Sequence, residues 1–286
     1  TPNQLNHMKR LVHSLLSTTT LAAATFTPLL HEKAMAQSMP ICENLSTLTD
    51  AQFAQNAPPN GYNSGCSATP ERYEITIYEM GFCTSNPLSG GLDRSTCSTT
   101  FESPGGQTVD LAGSASVTLD ETNATRPPSD TYNYGFMVIS NTFGLRGSVT
   151  TATNTWVSTG ADFDGINSNT DTTANGAVAT NFDDTLTNFN PGGACTSSAS
   201  ATMSLGTMSA ILANGSLSEA TTCAGVTRLV GAFAPTTAYE ITDDTTALKI
   251  TFNVTNKGMS VLPGGGKLGV GFMASGPFEM EITVVE

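Results

Sequence analysis

Side chains that carry oxygen recur along one short segment of the chain, residues 162–171. Carboxylates and amides at this spacing can supply the roughly six to eight oxygen ligands that Ca²⁺ prefers. The segment departs from an EF-hand loop, because Gly165 stands at its fourth position rather than its sixth and Thr173 takes the place of the bidentate glutamate. Two interpretations remain open, a calcium site and a solvated turn whose side chains cap their own backbone. The candidate ligands are Asp162, Asp164, Asn167, Asn169 and Asp171.

A pair of carboxylates, Glu279 and Glu281, is the second candidate for chemistry. Two positions apart on a strand, their side chains share a face about 7 Å apart, a separation that overlaps the range of inverting glycosidases. Acid catalysis by such a pair needs one carboxyl whose pKa is raised in an apolar cleft. Glu279 instead alternates with Phe278 and Met280, as outer-face residues of a half-buried strand do. We therefore expect a solvated pair rather than a catalytic one.

The three histidines, His7, His13 and His31, all precede the cleavage site predicted below. A mature chain without histidine has no Ser-His-Asp or Cys-His catalytic group and no zincin motif. The glycine run that ends at Lys267 lacks the spacing and the hydroxyl of a phosphate-binding loop. We expect no enzyme and no cofactor other than Ca²⁺ at residues 162–171.

The first 36 residues are typical of an export signal. Met8-Lys9-Arg10 forms a positive n-region, residues 11–30 are mildly apolar, and Ala34-Met35-Ala36 has the small-x-small pattern of a cleavage site. We predict a signal peptide that starts at Met8, with upstream residues before it, and a mature protein secreted to the extracellular space, cell surface or periplasm. No later segment reaches the roughly 18 apolar residues that a membrane span needs.

Six cysteines follow the predicted cleavage site, and an even number in an exported chain favours disulfides. Their spacing favours pairing in chain order, which closes short loops worth about 3 kcal/mol each in the chain-entropy model. A metal site is disfavoured, because the sequence has no CxxC motif. The expected pairs are Cys42–Cys66, Cys83–Cys97 and Cys195–Cys223.

Composition excludes several other classes. Only 12% of the 286 residues are charged and 38% are apolar, which argues against a disordered chain. The formal net charge of −13 argues against a nucleic-acid partner, which would require clustered Lys and Arg. Threonine, a β-branched residue that suits sheets, supplies 45 positions.

The pattern along the chain predicts many short strands. Residues 49–52 have the spacing of a capping box and predict one short helix, which Pro58 and Pro59 follow. Beyond Cys66, alternating segments recur at intervals of roughly 8–15 residues with turn residues between them. The expected strands are 72–82, 107–112, 116–120, 131–140, 147–152, 154–158, 177–180, 198–205, 209–212, 226–234, 238–241, 247–254, 260–262, 268–272 and 278–285.

Such a series predicts an all-β protein: an exported antiparallel β-sandwich, or two packed β units, with disulfide-closed loops and little helix. We expect an N-terminal segment at 37–70 and a β-sandwich region at 71–286. A polar stretch at 159–195 could mark a domain boundary or a long loop. Trp156 is expected in the core, whereas Tyr132 and Tyr134 share a face and could form a sugar-binding platform.

These observations favour a non-catalytic secreted structural or cell-surface protein whose partners are copies of itself or other surface proteins. One alternative is a calcium-dependent module for glycan binding or adhesion, and another is the acidic-dyad glycosidase. The last predicted strand, 278–285, places Phe278, Met280, Ile282 and Val284 on one apolar face. It must therefore dock, either in the chain's own sheet or as a strand donated to a neighbour.

Overall fold

The computed structural model describes residues 39–54, 65–112, 124–163, 169–175, 178–190, 193–264 and 267–286. Within these ranges, which belong to one compact unit spanning Lys33–Glu286, the chain forms eighteen strands and two short helices. The helices are a 3-10 helix, Cys42–Thr47, and α1, Asp50–Ala54. The strands are β1 Cys66–Ala68, β2 Arg72–Cys83, β3 Cys97–Asp110, β4 Asp130–Tyr132, β5 Tyr134–Ser140, β6 Thr142–Arg146, β7 Ser148–Thr150, β8 Thr155–Ser158, β9 Thr170–Ala174, β10 Phe182–Thr185, β11 Ser198–Met203, β12 Gly206–Ala213, β13 Arg228–Pro235, β14 Tyr239–Ile241, β15 Ala247–Asn253, β16 Met259–Pro263, β17 Val270–Ser275 and β18 Glu279–Val285. The predicted all-β class is confirmed.

The larger sheet has eight strands and is organised around β2. β3 pairs along one edge of β2. Along the other edge, β6 pairs with the beginning of β2 and β5 pairs with the rest of it. Beyond β5, the sheet continues with β13, β12 and β11. β10 pairs with β6. The sheet therefore divides between β5 and β6 into two branches, one that continues through β13 and one that ends at β10. The fork is at Asn141, whose buried amide donates to the carbonyls of Leu186 (3.0 Å) and Val226 (3.3 Å). This side chain thereby satisfies carbonyls on both branches of the fork.

A second sheet has six strands in the order β1, β16, β17, β9, β8, β7. Two separate ribbons complete the described β structure: β4 with β14, and β15 with β18. Every pairing between the strands given above is antiparallel, which agrees with the short connections between them. An isolated bridge between Ile41 and Ser67 is parallel.

Buried side chains from both large sheets meet in one hydrophobic cluster. Ile75, Ile77 and Leu145 contribute from the larger sheet, and Val261 and Met273 contribute from the smaller one. All five are at most 1% exposed. The alternating strand pattern therefore turns one face of each sheet toward a shared core.

Three disulfides close loops along the chain in the order that the cysteine spacing favours. The bonded pairs are Cys42–Cys66, Cys83–Cys97 and Cys195–Cys223. Cys83 and Cys97 lie opposite each other in the β2–β3 register. The described residues contain no free cysteine, and three disulfides are typical of proteins in oxidising compartments.

The predicted capping box is present at the start of α1. Gln52 Oε1 accepts a hydrogen bond from the Thr49 backbone N–H at 2.8 Å, and Thr49 Oγ1 accepts one from the Gln52 N–H at 3.3 Å. These reciprocal bonds satisfy two backbone donors that a helix start leaves without partners. A helix this short is consequently fixed by its cap and its packing rather than by its length.

Several strand predictions were wrong in detail. β3 begins at Cys97, ten residues before the predicted strand, because the Pro104-Gly105-Gly106 segment lies within an irregular strand rather than ending one. β1, β6, β9 and β10 were not predicted. β9 and β10 consist mostly of Thr and Asp, whereas β1 and β6 are only three and five residues long. Residues 178–180 do not form the expected strand. The predictions at 1–36 and 116–120 lie outside the described residues.

Candidate functional site

The oxygen-rich segment predicted to bind calcium is only partly described. Asp171 forms an ion pair with Lys267, whose ammonium also donates to the Thr172 carbonyl. Asn169 is 7% exposed and its Oδ1 accepts from the Phe163 N–H at 3.2 Å. Two of the predicted ligands thus have partners within the chain.

The remaining candidate ligands do not complete a site in the described part of the chain. Asp162 is exposed, and Asp164 and Asn167 lie outside the described residues. In the ranges that are described, no three acidic, cysteine or histidine side chains are grouped as a metal would require. Calcium binding at 162–171 therefore stays a prediction.

The two carboxylates Glu279 and Glu281 have different environments, although they lie on the same strand. Glu279 is only 8% exposed, so its expected place on the solvated face of β18 was wrong. Its Oε2 is 2.7 Å from Lys257 Nζ. Its Oε1 accepts from the Ser204 backbone N–H (3.3 Å) and Oγ (3.1 Å). Glu281 is exposed, as expected.

The charge state of Glu279 follows from these contacts. Burial acts to raise the pKa of its carboxyl, but the hydrogen bonds from Lys257 and Ser204 and the Lys257 charge outweigh burial and hold the pKa below its ordinary value. A general acid of the glycosidase type needs the opposite shift. The Glu279 contacts therefore give no support to acid catalysis by this pair.

The predicted aromatic platform is not formed, because Tyr134 is half-buried and packs in a different hydrophobic group from Tyr132. Tyr132 is 2% exposed, and its hydroxyl donates to the Pro128 carbonyl at 3.0 Å. Its ring packs against Phe82 with centroids 5.7 Å apart. Trp156, 7% exposed, is a core residue as expected. Neither Tyr132 nor Trp156 is therefore available for stacking on a sugar.

The ribbon of β15 and β18 is the most regular strand pair with open edges in the described chain. Seven residue pairs run from Ala247 opposite Val285 to Asn253 opposite Glu279, with no bulge. Each strand pairs only with the other among the described residues. By contrast, β3 carries Pro104 and two register shifts in its pairing with β2, devices that protect a sheet edge.

The inner face of this ribbon is fixed to the body of the protein. Phe252 and Met280, directly opposite each other in the register, are 3% and 2% exposed. Ile282 and Val284 pack against the buried group that contains Tyr239 and Ile241. The apolar face predicted for the last strand is therefore confirmed, and the strand pairs within its own chain.

An open cleft of about 660 Å³ lies beside β18. Residues 235–240 form one wall, and residues 281–284 with Glu286 form the other. Because no residue of β15 lines the cleft, it lies on the side of β18 away from its paired strand. Three exposed carboxylates, Glu240, Glu281 and Glu286, line it and make it acidic.

Tyr239 stands in the wall of this cleft with an unsatisfied hydroxyl. The residue is 7% exposed, and its hydroxyl has no hydrogen-bond partner. Burial, and secondarily the negative charge of Glu281, raises the pKa of Tyr239, so the hydroxyl stays protonated at physiological pH. It is therefore a neutral donor next to an open strand edge. Sequence reasoning missed it, because no local pattern distinguishes it from other strand tyrosines.

Comparisons with known proteins found no matching family model, no matching curated protein and no matching solved structure. No helix among the residues that the structure describes is long and apolar enough to cross a membrane.

Proposed function

We propose that the protein is an exported, non-catalytic structural subunit that assembles with copies of itself through the edges of the β15–β18 ribbon. The observation that carries the proposal is the ribbon itself: seven regular residue pairs with both outer edges free of strand partners in the described chain. Unpaired edges of this kind are templates for strand addition.

The orientation of the two strands favours head-to-tail addition. β15 and β18 are antiparallel, so β18 of a second copy placed beside β15 of the first continues one antiparallel sheet. Such a contact joins two different surfaces and leaves a free edge on each outer copy. Repetition produces an open filament rather than a closed dimer.

Charge at the two edges also favours this arrangement. Copies with a formal net charge of −13 repel each other at long range, so association needs local complementarity. Lys249 on β15 and Glu281 on β18 are both exposed, and neither forms an ion pair among the described residues. Head-to-tail addition brings a cationic edge against an acidic one.

The export part of the proposal has separate support. Three disulfides agree with an oxidising compartment, and the pattern at Met8 to Ala36 is that of a signal peptide. Intact mass of the protein recovered from the medium or periplasm should show a chain that begins near Gln37. A product that retains Lys9 and Arg10 would contradict export by this route.

Assembly is tested by sedimentation velocity over a concentration series at low salt, together with negative-stain electron microscopy. The parent protein should form elongated species. Glu281→Lys and Lys249→Glu should each weaken assembly, and the double variant should restore it. Glu43→Lys, which makes the same charge change at an exposed site off the ribbon, is the control and should assemble like the parent. A monomer at every concentration, or single variants that assemble normally, would refute the proposal.

A further inference from the structure

An apolar cavity of about 100 Å³ lies between the β11–β13 end of the larger sheet and the segment that leads into β18. Ala201, Met208 and Met137 line it from the sheet, and Phe278 and Met280 close it from the opposite side. The cavity is separate from the acidic cleft, because Phe233 is the one residue that both linings contain.

The cavity has a simple cause in the strand register. Ala199 on β11 lies opposite Ala210 on β12, Ala210 lies opposite Gly231 on β13, and Gly231 lies opposite Met137 on β5. Three neighbouring strands thus place a methyl group or a hydrogen where larger side chains would fill the core. All four residues line the cavity.

Two polar groups in the wall have partners within the chain. The Tyr73 hydroxyl donates to the Gly276 carbonyl at 2.7 Å, and the Ser275 N–H donates to Asp184. Burial, with a smaller contribution from the Asp184 charge, raises the pKa of Tyr73 so far that it stays neutral. Among the residues that the structure describes, no Lys, Arg, Asp or Glu lines the cavity. A charged ligand would therefore lose its hydration without gaining a partner.

The lining is also adaptable and accessible. Four of the ten methionines of the chain line the cavity, namely Met137, Met203, Met208 and Met280. Methionine side chains rearrange easily and make favourable contacts with aromatic rings. The inward-facing side chains of β11, at the edge of the sheet, are only half-buried, which provides a route of entry.

From this geometry we infer that the cavity is a binding site for a small, uncharged hydrophobic molecule. An apolar cavity of about 150 Å³ in another protein stays dry and binds benzene. A cavity of about 100 Å³ with a flexible methionine wall and an open side therefore suits a ligand of one aromatic ring or a hydrocarbon of similar size. Nothing in this site depends on the assembly proposed above.

The probe for the test is toluene, an uncharged molecule with one aromatic ring, titrated into the purified protein and followed by isothermal titration calorimetry. Binding should saturate at one site per chain, and benzoate, which adds a negative charge to a ring of similar size, should not bind. Benzoate binding as tight as that of toluene would refute the uncharged ligand class. Toluene binding that is undetectable or that does not saturate would refute the site.

Two variants of adjacent β11 residues locate the binding. Ala201→Phe fills the cavity and should lower the affinity at least tenfold, whereas Thr202→Phe places the same ring on the exposed face of β11 and should leave it unchanged. Gly231→Ala removes less volume and should lower the affinity a few fold, which keeps the test valid if Ala201→Phe does not fold. Unchanged affinity in folded Ala201→Phe or Gly231→Ala would overturn the inference.

Discussion

The indole N–H of Trp156 donates a hydrogen bond of 2.9 Å to the carboxylate of Asp50, which lies 106 positions earlier in the chain. Thr151 Oγ1 donates to the same carboxylate oxygen, and the Asn154 amide donates to the other one. Asp50 is only 6% exposed. One buried carboxylate therefore ties α1 to the turn between β7 and β8 and to the only tryptophan of the chain.

Asp50→Ala should destabilise the protein by about 2–4 kcal/mol, because it leaves the Trp156 indole N–H and the Asn154 amide without an acceptor, whereas Thr151 keeps the Asn154 carbonyl. Urea unfolding followed by Trp156 fluorescence measures the loss. The emission maximum of the folded variant should also shift to the red as water reaches the indole. Glu43→Ala, at an exposed carboxylate in the preceding 3-10 helix, is the control and should change both quantities little.

Loss of the buried ion pair should distinguish the two glutamates of β18. Glu279→Gln leaves Lys257 without its counter-charge and should cost about 1–3 kcal/mol of unfolding free energy. Glu281→Gln changes an exposed carboxylate and should cost less than about 0.5 kcal/mol. Chemical denaturation of both variants measures the two losses of unfolding free energy. Equal losses would contradict the buried position of Glu279.

The same ion pair should make stability depend on acid pH. The pKa of Glu279 is lower in the folded protein than its ordinary value of 4.5, so the unfolded chain binds the proton first as pH falls. The stability that Glu279 contributes is therefore complete above pH 4.5 and is lost as pH falls through the folded-state pKa. The difference in unfolding free energy between the parent and Glu279→Gln should shrink below pH 4.5. A difference that grows in acid would mean that the pKa is raised.

Two glycines of the larger sheet, on the strands that flank β5, should respond in opposite ways to alanine. A Cβ at Gly231 would lie 3.7 Å from Met137 Cγ, an ordinary contact, and would fill part of the apolar cavity. Gly231→Ala should therefore stabilise the protein by about 0.5–1 kcal/mol. Thermal and urea unfolding measure the change.

Gly81 is the matched contrast. A Cβ there would lie 2.3 Å from the Ser98 carbonyl oxygen and 2.5 Å from Phe136 Cε1. The backbone of β2 or β3 would have to move, so Gly81→Ala should destabilise by about 3 kcal/mol. Equal tolerance at both positions would contradict the packing described for β2, β3 and β5.

Sequence patterns predicted the parts of this fold that depend on local chemistry. The capping box at Thr49 and the three disulfides follow from spacing alone, and the apolar face of the last strand follows from its alternation. These features can be predicted without knowing which distant segments of the chain pack together.

What sequence reasoning missed depends on long-range packing. Nothing near Glu279 in the sequence shows that Lys257 and Ser204 will enclose it, and the local alternation placed it in solvent. The unsatisfied Tyr239 hydroxyl and the row of small residues that ends at Gly231 arise only when particular strands pair in register. The acidic cleft and the apolar cavity therefore depend on how distant strands pair, and no local sequence motif marks either of them.

The order of the disulfides has a mechanical consequence. Each bond joins cysteines 14, 24 or 28 positions apart, and none links the beginning of the described chain to its final ribbon. Under a pulling force, a disulfide removes only its own loop from the length that can be extended. Most of the chain could therefore unravel without breaking a covalent cross-link, and its resistance to force would come from strand pairing and the core. A filament of such subunits would be extensible, with the three closed loops as its only permanently shortened segments.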